Sequence, residues 1–150
     1  MSAQTEYSQN IPVGYAGQLY DLSNSDIVSR SVASTIIEFG VAVSLSAGSP
    51  TRITNGSDQG FFGIAVRALD SEVVTGDLTY KQTESASVLR AGYIWAECVT
   101  GCVIGDVVNY TEGTGALNAG AAGVGEQDVA NATWESAAGA GQLAQLRIGV

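Results

Sequence analysis

The chain has 150 residues, 6 lysines and arginines against 15 aspartates and glutamates, a net charge of −9 and no histidine. Its cations stand singly, so there is no basic cluster to neutralise phosphates or anionic lipid. The missing imidazole removes the commonest general base, the partner of most nucleophilic serines and cysteines, and the commonest metal ligand. One domain fits this length, and a composition 45% apolar but only 14% charged predicts that part of the surface meets other protein.

Residues 1–20 lack periodicity, yet they carry spaced apolar anchors at Ile11, Val13, Tyr15, Leu19 and Tyr20 among Ser, Gln, Asn and Gly. Such a segment cannot bury a core of its own and is too apolar in its second half to be plain solvated chain. It reads as an extended arm, 1–20, ahead of a β domain, 21–150; a terminus tucked onto its own subunit fits the same residues. Met1-Ser2-Ala3-Gln4-Thr5-Glu6 has neither the basic start nor the apolar run of a signal peptide, and no stretch nears the roughly 18 apolar residues of a membrane helix. Synthesis in the cytoplasm, without membrane attachment, is expected.

Asp21-Leu22-Ser23-Asn24-Ser25-Asp26 has oxygen ligands at alternate positions, but Asp26 stands where a calcium loop needs glycine and Val32 where it needs an acid, so these residues read as turn formers before an Ile27-Val28 strand. Ile37, Phe39, Val41, Val43 and Leu45 alternate with lighter residues, the period of a half-buried strand. Turn clusters follow at Ala47–Pro50 and Thr54–Asp58. Phe61–Leu69 is apolar on both faces and reads as a central strand, with Phe62, Ile64 and Val66 on one face and Trp95 packed nearby in the core.

Val73–Tyr80 reads as a loop or edge strand. Ala86–Arg90 and Tyr93–Val99 form two strand segments kinked at Gly92, where a missing Cβ relieves crowding. Cys98 and Cys102 flank Thr100-Gly101 and read as small buried apolar residues, with a disulfide across that turn as the second reading. They are too few to close a zinc site. Gly105-Asp106 turns the chain before Val107–Tyr110, residues 111–131 read as a long Gly/Ala-rich mobile loop, and Gln142–Gly149 is a last strand. The fold class is all-β: a single-domain sandwich or barrel with an N-terminal arm and a Gly/Ala-rich loop.

No catalytic constellation emerges. Leu78 occupies the serine position of a Ser-x-x-Lys pair at Lys81, and carboxylate pairs of the kind that cleave glycosides occur by chance in any acidic β protein. No catalytic, cofactor-binding or metal-binding residue is assigned, and the expected role is not enzymatic.

The succession of Gly14-Tyr15-Ala16-Gly17-Gln18, the Phe39-Gly40 strand, Phe62–Arg67, Ser87–Glu97, Gly105-Asp106-Val107-Val108 and Trp134 with Ala138–Ala144 resembles the structural cement proteins of tailed phages. The resemblance implies a capsid decoration protein on the outer surface of the virion, a homotrimer bound to major capsid protein between capsomers, stabilising the mature expanded lattice. The arm residues Ile11, Val13, Tyr15, Leu19 and Tyr20 are the expected capsid-binding set. A receptor- or carbohydrate-binding module of a tail or fibre is the alternative that acidity, strands and aromatics also fit.

Overall fold

The computed structural model describes residues 14–33, 36–68 and 79–149, and contains no helix among them. The strands are β1 (Leu19–Val32), β2 (Ile37–Glu38), β3 (Ala42–Leu45), β4 (Arg52–Asn55), β5 (Gly63–Ala65), β6 (Thr79–Tyr80), β7 (Ser85–Cys98), β8 (Val107–Thr111), β9 (Leu117–Ala119), β10 (Glu126–Trp134) and β11 (Gln142–Ile148). Hydrogen bonding links nine of them in the order β1-β4-β3-β5-β7-β11-β10-β8-β9, and two further pairings, β1 with β7 and β7 with β9, close this order on itself twice.

The result is two rings of five strands that share β7. The first half of β7 lies between β1 and β5, with Leu89 opposite Ile27 on one side and Ile64 on the other. Its second half pairs with β11 from Gly92 to Cys98, and Cys98 also meets Leu117 of β9. Ring closure leaves few unpaired N–H and C=O groups along the shared wall.

The side-chain period sets two cores. Val32, Val43, Ile53, Ala65, Ala86 and Val88 fill the first ring, and Ile94, Ala96, Val108, Tyr110, Leu117, Trp134, Leu146 and Ile148 fill the second. Where the rings meet, neighbouring residues go to different cores: Ala42, Ile64 and Leu89 face the second, while Val43, Ala65 and Val88 face the first. Both faces of this wall are therefore apolar, as the Phe61–Leu69 pattern predicts, although the paired strand is only Gly63–Ala65 and Leu69 lies outside the described residues. β2 and β6 form a separate two-stranded sheet over the first core, with Phe39 edge-on to Tyr80 at 5.1 Å and the Tyr80 hydroxyl donating to Val66 O.

Three expectations change. Ile37–Leu45 is two strands, because Phe39-Gly40 turns the chain with Gly40 at φ 79°. Residues 111–131 are no long mobile loop: they hold β9 and the start of β10, and the buried Asn118 amide donates to Asn109 Oδ1 and Thr111 Oγ1. Trp134, donating to Asn118 O, is the fully buried tryptophan, whereas Trp95 is half-buried on the outer face of β7 because its parity is opposite to that of Ile94 and Ala96.

The β8–β9 turn docks into the corner of the first ring. Ala42 N donates to Gly115 O, Gly113 N to Gly56 O, and the Tyr110 hydroxyl to Ser57 O. A Cβ on Gly115 would lie 2.1 Å from Ala42 O, at a φ of 72° that L side chains rarely adopt. Gly113, at φ 92°, has open space around it. Gly113→Ala should therefore cost only the backbone strain, about 1–2 kcal/mol, and Gly115→Ala clearly more, both read from urea denaturation. In the same assay Trp134→Ala should lose about 3–5 kcal/mol and Trp95→Ala less, since truncation costs most where no solvent already touches the ring.

Candidate interaction surface

The outer face of β7 and its neighbours carries a cluster of aromatic and charged side chains. Tyr93 and Trp95 alternate outward, and the Tyr20 ring of β1 meets both edge-on, with centroids 5.5 and 5.8 Å away. Burial first, then the nearby Glu135 carboxylate, pushes the Tyr20 phenol up to about 12. On β11, Arg147 pairs with Glu135 at 3.3 Å.

Gly14–Gln18 is stitched onto this face. Gly17 N donates to Trp95 O and Trp95 N to Gln18 O, both at 2.8 Å, while Arg67 N donates to Gly17 O at 2.9 Å. Gln18 closes its own turn, its side-chain oxygen accepting from Tyr15 N. Gly14 crosses the indole so closely that a Cβ there would stand 2.7 Å from the Trp95 ring. Gly17 and Gly40 approach back to back, since a Cβ on Gly40 would lie 2.8 Å from Gly17 N. Two glycine motifs far apart in sequence thus meet at a crossing close enough that neither position admits a side chain.

Of the expected contact residues, Ile11 and Val13 lie outside the described residues. Tyr15 is 49% exposed and holds the Arg67 guanidinium 4.0 Å above its ring. Leu19 is half-buried against the second core, and Tyr20 packs on Tyr93 and Trp95 as described above. The structure therefore brings Tyr15, Leu19 and Tyr20 to the place where the chain enters the body. β1 begins at Leu19, two residues ahead of the position 21 at which the β domain was expected to begin.

Sequence periodicity does not single out a second feature, a run of exposed apolar residues at one end of the second ring. Val99, Val103, Ile104 and Val107 are 45–72% exposed, the first three on turns closed by Gly101 N to Cys98 O and by Val103 N to Asp106 Oδ2 and Val107 at the start of β8. Between them Cys98 and Cys102 are buried free thiols, as small apolar residues would be. Burial, ahead of the neighbouring Cys98, pushes the Cys102 thiol up to about 11. Asp21–Asp26 is a bulge in β1, with Ser23 N donating to Asp21 Oδ1 and Asn24 at φ 53°, the turn chemistry its sequence suggests.

The raised values set a direction for stability against pH. Above the ordinary thiol and phenol values of 9 and 10 the unfolded chain releases protons that the native chain retains on Cys102 and Tyr20. Their contribution is whole below pH ~9 and lost as pH rises through about 11 and then 12. Urea midpoints measured from pH 8 to 12 should fall on the alkaline side, and Cys102→Ala with Tyr20→Phe should flatten that fall.

A family model described as structural cement protein (E217 gp24/Pam3 gp6) matches residues 3–149. Among solved structures, the chain is similar to one from the capsid of Myoviridae phage XM1, with a TM-score of 0.75, 18% identity, and coverage of 99% of this chain and 98% of that one. It is also similar to the head fibre gp8.5 N base of bacteriophage phi29, with a TM-score of 0.52, 14% identity, and coverage of 83% and 94%. At these identities the two structures speak to the fold. No curated protein matches the sequence.

Proposed function

The chain belongs to the structural cement protein family, and from that premise we propose that it binds the outer surface of a phage head between capsomers, as a homotrimer, and holds the expanded lattice of major capsid protein. Membership makes it a structural part of the virion with a capsid decoration role. The observation that carries the finer reading is how the chain enters the body. Gly17 and Gln18 are fixed to the Trp95 backbone by hydrogen bonds and Gly14 lies against the Trp95 ring, so whatever precedes Gly14 starts from a defined point on the sheet.

In this reading Ile11, Val13 and Tyr15 reach the capsid, and Leu19 and Tyr20, packed on the body, anchor the root of the arm. An extended segment can add to a sheet edge of a neighbour through main-chain hydrogen bonds, with alternate side chains filling pockets. Each such side chain fully buried contributes about 1.5–3 kcal/mol. The exposed Val99, Val103, Ile104 and Val107 supply apolar surface for contact between subunits.

The mechanism is linkage and needs no chemistry. A subunit that binds the expanded lattice but not the immature one stabilises the expanded state, by about 2.7 kcal/mol per site at a hundredfold excess over Kd. The large number of sites on a head makes the sum a reserve against internal DNA pressure.

Deleting residues 2–13 should leave a body with near-normal melting temperature that no longer co-sediments with undecorated heads. Full occupancy by the deletion variant would move the contact to the strand-rich body.

A further inference from the structure

We propose that Arg30 and Arg90, gathered on Phe62, form a carboxylate-binding site for an acidic segment of the partner protein on the head. The Arg90 guanidinium lies 4.6 Å and that of Arg30 5.2 Å from the centroid of the Phe62 ring. The two cations therefore stand within about 10 Å of each other, about one Debye length at 0.1 M salt, and repel. In a chain with 15 carboxylates and 6 cations, neither arginine forms an ion pair with a described residue. Arg30 donates to the backbone of Ser29, yet its Nε is buried and without a hydrogen-bond partner.

Two like charges on one ring are unfavourable in the isolated subunit, and one carboxylate meeting the outer guanidinium nitrogens relieves their repulsion. Placed between the guanidiniums it accepts charge-assisted hydrogen bonds from each, and the planar forks suit its geometry. The half-buried Phe62 ring beneath excludes water from one side, which strengthens the pairing. Phosphate chains fit less well: they draw on many cations at once, and the net charge of −9 repels a polyanion at long range. A single acidic side chain on a protein surface needs only these two.

This inference rests on the capsid-binding reading, and its test separates the two. The wild type, Arg30→Gln/Arg90→Gln and Arg30→Lys/Arg90→Lys are compared for binding to undecorated heads across a salt series. Loss of charge-assisted hydrogen bonds should weaken the glutamine variant about 10- to 100-fold and flatten its salt dependence. The lysine pair, which keeps the charge but not the fork, should fall between. Should the glutamine variant lose its melting transition, the lysine pair carries the comparison. Unchanged affinity and salt slope in both variants would overturn the site while leaving capsid binding standing.

Wild type that fails to sediment with heads would instead overturn the capsid reading. The site is then judged by titrating the full chain with hexaglutamate and following amide shifts at Arg30, Phe62 and Arg90. Shifts that vanish in the glutamine variant support it, and their absence in the wild type overturns it. Equal shifts with inorganic tripolyphosphate at matched charge would overturn the carboxylate assignment.

Discussion

Everything in this molecule depends on β7 keeping hydrogen-bonded partners on both edges along its length. A strand shared by two closed rings must change partners midway, from β5 to β11 on one side and from β1 to β9 on the other. The exchange of β5 for β11 occurs at Gly92, whereas β1 stays paired as far as Ile94 and β9 enters at Cys98. Gly92 sits at φ 137°, opposite the irregular Asp21–Asp26 stretch of β1, and a Cβ there would stand 3.3 Å from Ser25 Cα. A residue with a side chain would have to displace either the bulge or Leu89, which is the wall between the two cores.

Sharing one strand makes the two rings mechanically continuous. The β8–β9 turn adds a second joint, since Gly115 and Gly56 bring backbone against backbone with Tyr110 packed beside them. These two joints hold the rings together as one body.

The charge distribution follows a similar division. The chain carries 15 carboxylates, while three of its five arginines lie over aromatic rings: Arg67 over Tyr15, Arg30 and Arg90 over Phe62. An aromatic ring holds a guanidinium in place without neutralising it. At Phe62 the contact leaves the charge of Arg30 and Arg90 in a molecule whose net charge is negative.

Period-two patterns and turn residues determined, from sequence alone, an all-β fold with a last strand at Gln142–Gly149, observed as Gln142–Ile148, an irregularity at Gly92 and two buried cysteines. These are local properties, legible because each residue reports its own burial or backbone conformation. The contact between Gly17 and Gly40, the docking of Gly115 onto Ala42 and the convergence of Arg30 and Arg90 on Phe62 join residues whose separation along the chain carries no periodic signal. Trp95 and Trp134 look alike in sequence, and only strand parity within the closed rings puts one outside and the other in the core. Tertiary structure decided these points because ring closure is a long-range pairing, set by which edges remain to be satisfied rather than by any local preference.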